Sequence, residues 1–188
     1  MSRFRAVLDA NVLFPIVQAD LLLQLADRNT YVPLWSSEIL DELVDSLIAT
    51  GKTTEEKALR RVSHMNEAFL DARVHNWEFL VNSIHGIPDP KDRHVVAAAI
   101  EGNASAIVTN NLRDFPQDSL SQHGLHAVSC DSFLLDLYDL FPSRFRDALE
   151  EVQQIRKNPP ISMEGLLVSL ARSCPELIAT YRANQTLT

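Results

Sequence analysis

Glycine is scarce in this chain, at 5 of 188 residues. No glycine-rich segment exists that could cradle a phosphate on backbone amides, so that class of nucleotide site is excluded. Cysteine is scarcer, with Cys130 and Cys174 alone. They stand at no zinc-ligand or redox spacing, and reduced thiols in a cytoplasmic protein are expected. No apolar run approaches the roughly 20 residues that a membrane-spanning helix needs. Arg3, Arg5 and Asp9 interrupt the N-terminus, which leaves no apolar core for a secretion signal. Positive charge is also short, 17 Lys and Arg against 25 Asp and Glu, a net charge of −8. That argues against a broad basic face for nucleic acid, but not against a phosphodiester held through metal ions on clustered carboxylates. His64, His75, His85, His94, His123 and His126 lack zinc-site spacing, although His94 falls near suspect acids. No Ser-His-Asp or Cys-His pattern competes.

What is present is an ordinary globular composition, 46% hydrophobic and 22% charged, in a chain long enough for one full core with an appendage. Val7-Leu8-Asp9-Ala10-Asn11-Val12-Leu13 reads as a buried parallel strand with Asp9 where it ends. In an open parallel sheet that edge is where ligands sit. A helix is expected over Val17–Arg28 with Asn29 as its stop. Tyr31–Trp35 reads as a strand pushed to the sheet edge by Pro33. Ser36 or Ser37 should cap a helix ended by Gly51, and Thr53 with Glu56 reads as a capping box opening a helix to about Ala72. Arg60 and Arg61 on it read as solvated surface rather than RNA contacts. Val74–His85 is ambiguous, a short strand followed by a short helix. A helix over Asp89–Glu101 and strands over Ala106–Thr109 and Ala127–Cys130 follow, and then a helix to Leu140 capped by Asp131. Alternation of this kind means a mostly parallel sheet in an α/β fold.

From Pro142 the pattern is helical only. One helix carries Phe145, Leu149, Val152 and Ile155 and stops at Asn158-Pro159-Pro160. Two shorter ones carry Leu166, Leu167 and Leu170, then Leu177, Ile178 and Tyr181. The expected organisation is therefore residues 1–141 as the α/β domain and 142–188 as a helical extension. Arg144, Arg146, Arg156 and Lys157 give that extension a local basic bias. It could serve as a partner surface or simply as a stabilising appendage.

Acids or amides recur at element edges: Asp9 and Asn11, Asp89 and Asp92, and the run Thr109-Asn110-Asn111-Leu112-Arg113-Asp114. Phosphodiester hydrolysis needs an activated water and neutralised transition-state charge, and metal ions on convergent carboxylates supply both. Asp89 reads as the cap of its helix, with Pro90 first and Asp92 third, so that Asp92 faces the edge where Asp9 points. On the helix after Ser36, periodicity alone does not choose between Asp41 and Glu42.

The order Leu8-Asp9-Ala10-Asn11-Val12-Leu13, a capped helix bearing Glu42, Asp92-Arg93-His94-Val95-Val96-Ala97-Ala98-Ala99 and Thr109 to Phe115 resembles the PIN domain. It is most similar to the VapC ribonuclease toxins of prokaryotic toxin–antitoxin modules, in a subgroup with extra C-terminal helices, and covers about residues 4 to 141. The resemblance implies a three-layer α/β/α fold and Mg²⁺- or Mn²⁺-dependent RNA cleavage. Its metal-binding, catalytic acids would be Asp9, Glu42, Asp92 and Asp114. Asn11, Thr109 and Asn111 would shape the site, with Arg93 and Arg113 beside them as substrate contacts. It also implies inhibition by a cognate antitoxin, and allows a homodimer.

Two rivals follow from the same residues. A phosphatase of the haloacid-dehalogenase type also places Asp at the end of its first strand, but needs a second acid two residues on, where this chain has Asn11. A PIN fold without catalysis could serve as an interaction module, although unneeded clustered carboxylates would repel one another.

Overall fold

The strands of the sheet are short, and the apolar residues of the first and third, Ala6-Val7-Leu8 and Ala106-Ile107-Val108, are buried. In a computed structural model, residues 4–51, 53–157 and 159–185 are described. Strands β1 (Arg5–Leu8), β2 (Val32–Leu34), β3 (Ala106–Val108) and β4 (His126–Val128) form one sheet in the order β2-β1-β3-β4. Every pairing is parallel, as the α/β expectation requires. Ala6, Val7 and Leu8 in β1 and all of β3 are fully buried. Covering both faces of the two central strands explains why they read as continuous apolar runs rather than alternating ones. Pro33 lies in β2 at the sheet edge, opposite Ala6, where a missing N–H costs no ladder bond.

The chain separates into two compact units, Met1–Phe14 with Tyr31–Val128, and Pro15–Thr30 with Ser129–Thr188. The first unit contains the sheet with helices α1 (Ala10–Leu13), α3 (Ser37–Ala49), α4 (Glu55–Ala68), α5 (Arg93–Glu101) and α6 (Gln117–Ser121). The second contains the helices α2 (Ile16–Asp27), α7 (Cys130–Leu140), α8 (Pro142–Ile155), α9 (Met163–Ala171) and α10 (Pro175–Gln185).

Several expected starts and stops shift. The apolar run 7–13 is not one strand: β1 ends at Leu8, Asp9 takes an extended conformation, and Ala10–Leu13 turn helical. The cap of α4 is Thr54, whose hydroxyl accepts from Lys57 N–H. Glu56 is then one position too early to complete a capping box. The Val74–His85 segment holds only a 3₁₀ turn, Glu78–Ser83, after a single bridge between Trp35 and Arg73. Arg60 pairs with Glu56 in solvent, whereas Arg61 donates to the Leu13 carbonyl. Asn158, expected among the stop residues after Ile155, lies outside the described residues.

In the helical unit, Ser129 rather than Asp131 caps α7. Asp131 instead accepts from the backbone N–H groups of Glu176 and Leu177, at 3.0 and 2.9 Å, in the first turn of α10. A carboxylate from another helix thus satisfies two donors that have no partner inside α10. Asp131→Ala is expected to lower stability by about 1 kcal/mol, or roughly 2–4 °C in Tm, by thermal melting. The two thiols, far apart in sequence, are both buried and not joined in a disulfide. They share a hydrogen bond, and burial pushes the Cys130 thiol well above its ordinary range. Of the basic residues of the extension, Arg156 forms an ion pair with Asp20, and Arg144 donates to the Asn29 carbonyl.

Candidate active site

The register of the sheet brings the first polar residues together. Leu8 is paired with Val108 in neighbouring parallel strands, so Asp9 and Thr109 emerge side by side at the carboxyl ends. The Asp9 N–H continues the ladder to the Val108 carbonyl at 3.1 Å. Both residues are buried. Thr109 Oγ1 donates to Asp9 Oδ2 at 2.7 Å, and Asn11 Nδ2 donates to the same oxygen at 2.6 Å. The Thr109 hydroxyl in turn accepts from Asn11 Nδ2 and from the Asn111 N–H, at 3.0 and 3.1 Å. Asn11 Oδ1 accepts from the Asn110 N–H at 3.0 Å. The Asp9 carboxylate is therefore held in one orientation by a closed network whose members all stand within a few residues of two strand ends.

Asn11 is fully engaged in that network, donating from its amide and accepting at its oxygen. It cannot exchange a proton at neutral pH, so the position offers no general acid for a phosphatase.

The remaining acids come from three other segments. Asp89 caps the turn Pro90–Asp92 through the Lys91 N–H at 2.9 Å, and that turn runs directly into α5. The capping role expected for Asp89 is what the structure has. Asp92 ends the turn, half-buried, and makes no capping bond of its own. Asp114 closes the 3₁₀ turn Leu112–Asp114 that follows β3 and is also half-buried. On α3, Asp41 is exposed and Glu42 half-buried. Glu42 accepts from His94 Nε2 at 3.1 Å. The contact separates the two acids that periodicity left tied.

Electrostatics ties the four acids to one region. Burial, and after it the charges of Asp114, Asp89, Asp9 and Glu42 in that order of effect, together raise the Asp92 carboxyl to about 6. Burial also raises Asp9; the Thr109 hydroxyl and the Ala10 N–H oppose it, Glu42 reinforces it, and His94 weakly offsets it. Carboxylates that repel one another across a half-buried edge are a donor set suited to a hard divalent cation, which takes oxygen ligands and removes the repulsion. In that chemical sense the residues fit Mg²⁺ or Mn²⁺. In the recorded side-chain positions, no group of three or more His, Cys, Asp or Glu among the described residues is arranged to hold a metal ion.

Of the expected substrate contacts, Asn111 and Arg113 are exposed, and Arg93 is half-buried with its Nε lacking a partner. His94, which the sequence places near the suspect acids without a zinc-ligand spacing, has a partner among them. It is buried, packs at a tilt against Trp77 with 5.9 Å between ring centroids, and is the partner of Glu42. Its position two residues after Asp92 was visible in the sequence, but nothing in the spacing said that α3 would face it.

Comparison with known proteins gives the family. Residues 5–113 match the PIN domain, and residues 130–183 match the VapC50 C-terminal domain. Asp114 falls one residue beyond the first match. A 92-residue stretch is 37% identical to the Mycobacterium tuberculosis (strain ATCC 25618 / H37Rv) protein named "Putative ribonuclease VapC50", and covers 49% of this chain and 54% of that one. The chain thus spans about half the length of that curated relative. No solved structure matches. No described helix is long and apolar enough to cross a membrane. With the match covering more than half of the sequence, and a parallel sheet with Asp9 at its carboxyl edge, the chain belongs to the PIN-domain family, followed by a segment that matches the VapC50 C-terminal domain.

Proposed function

We propose that the chain is a Mg²⁺- or Mn²⁺-dependent ribonuclease, the toxin of a toxin–antitoxin pair, acting through Asp9, Glu42, Asp92 and Asp114. The observation that carries this reading is the Asp9 carboxylate held at the sheet edge by Thr109 and Asn11, within reach of the charge of Asp92, whose carboxyl is raised to about 6 by burial and then by Asp114, Asp89, Asp9 and Glu42. When bound, the divalent ion supplies an activated water and a counter-charge for the phosphoryl oxygens. Asp9 offers a carboxylate already oriented by Thr109 and Asn11, which spares the cost of ordering it on binding. Asp92 approaches from the turn before α5, Glu42 from α3, and Asp114 from beyond β3. Arg93 and Arg113 are placed in sequence beside two of these acids to contact the phosphate backbone. The name of the mycobacterial relative supports RNA as substrate, and the VapC resemblance supports an antitoxin as partner.

A second reading, an interaction module without catalysis, is favoured by the lack of a ready-made three-ligand group among the described residues. Incubating the purified chain with total cellular RNA separates the two. Cleavage should appear with Mn²⁺ or Mg²⁺ and fall to background with EDTA, while a small phosphomonoester stays intact. RNA left uncut at every metal concentration would establish the interaction module instead.

A further inference from the structure

The Glu42–His94 contact is a pairing that the chemistry described so far does not need. The His94 side chain is 7% exposed and that of Glu42 is 40% exposed. An ionised carboxylate only accepts, so Nε2 is the protonated ring nitrogen and donates to Glu42. The other nitrogen, Nδ1, is buried and has no hydrogen-bond partner. A ring serving only to fill the space beside Trp77 would be better replaced by an apolar one, since an orphaned buried nitrogen disfavours the fold. The hydrogen bond at Nε2 is the feature that an apolar ring would not supply.

Glu42 needs such a partner more than the other acids do. Asp9 is short and fixed by its network, and Asp92 and Asp114 sit in tight turns. Glu42 has a longer side chain projecting from the side of α3 and is partly solvated, so its carboxylate would otherwise sample several rotamers. In the His94-bound orientation its charge reaches both Asp9 and Asp92.

We infer that His94 is a positioning residue, which holds the Glu42 carboxylate at the site so that it can act with Asp9 and Asp92 on a divalent cation. The inference deepens the metal-dependent reading above and rests on it. Outer partners of ligating carboxylates typically change metal affinity by about 10- to 100-fold.

The test is Mn²⁺ affinity of the full chain by titration calorimetry, without RNA, for wild type, D9N, H94F, H94Q, E42Q and the H94F/E42Q double variant. H94F keeps a ring against Trp77 and loses the donor. H94Q returns an N–H donor at about the reach of Nε2. The expected result is roughly tenfold weaker Mn²⁺ binding for H94F, recovery of most of it in H94Q, and a double variant no worse than E42Q alone. Should H94F fail to fold, H94N, which is too short to reach Glu42, takes its place. Unchanged affinity in a folded H94F or H94N, or losses that add in the double variant, would overturn the role of His94 and leave the metal reading intact. Wild type that binds Mn²⁺ no better than D9N would overturn both.

Discussion

Asp9→Asn is expected to reduce RNA cleavage by at least roughly a hundredfold while leaving the fold unharmed. The side chain keeps its size, and its amide oxygen can still accept from Thr109 Oγ1 and Asn11 Nδ2, which both reach Oδ2 in the native network. What disappears is the negative charge that a hard cation requires. Because burial raises the native Asp9 carboxyl, its charged form costs stability at any pH where the unfolded chain is ionised. The substitution removes that cost, so the variant should melt no lower than wild type at neutral pH without metal. Below the unfolded value of 3.8 both forms are neutral, and this advantage should vanish. Cleavage and melting measured together decide the matter: a folded variant that still cuts RNA at the native rate would show that Asp9 is not part of the site.

The second large effect separates Asp92 from Asp89. Asp92→Asn should lose cleavage to a similar degree, and in EDTA it should melt higher than wild type. The sign follows from the raised carboxyl. Between 3.8 and about 6 the folded state holds a proton that the unfolded state has released, so stability falls as pH rises through that window. Above about 6 the full penalty is present, and the neutral amide escapes it. With Asp92 only half-buried, screening reduces the gain to roughly 1 kcal/mol, or about 2–4 °C. At pH 3.5 the gain should be small. Asp89→Ala, by contrast, should cost about 1 kcal/mol through loss of the cap and keep most of the activity. A folded but inactive Asp89→Ala beside an active Asp92→Asn would reverse the two assignments.

Much of the site was legible because its residues stand at strand ends and helix starts, where sequence signals are strongest. Pro90 behind Asp89 announced a helix start, and that start fixed Asp92 as the acid left over. The Val and Ala runs of β1 and β3 announced a buried parallel sheet, and with it the edge at which Asp9 and Thr109 meet. The register that makes them neighbours was not legible, because both strands are too uniformly apolar to specify an offset. The end of β1 was misread for a related reason. Val12 and Leu13 are as apolar as the strand before them, and a short buried helix has no periodicity to distinguish it. Glu42 could be preferred over Asp41 only by resemblance, since an amphipathic helix does not say which border of its stripe meets a neighbour. Asp131 was legible as a cap, but its helix was not: a carboxylate beside one helix start is equally able to serve another in space.

Helix α2 packs mainly against α8 within the helical unit, although the strands β1 and β2 flank α2 in the chain. During synthesis at about 5–20 residues per second, α2 emerges roughly 6 to 23 seconds before α8 begins. Throughout that interval α2, whose Leu21, Leu22 and Leu25 are buried in the finished fold, lacks the helix it packs against most. The nascent chain therefore carries a temporary binding surface that closes only when Pro142–Ile155 has been made. Any stop in translation between the two helices leaves that surface open, which makes the unfinished product a substrate for chaperones or proteases.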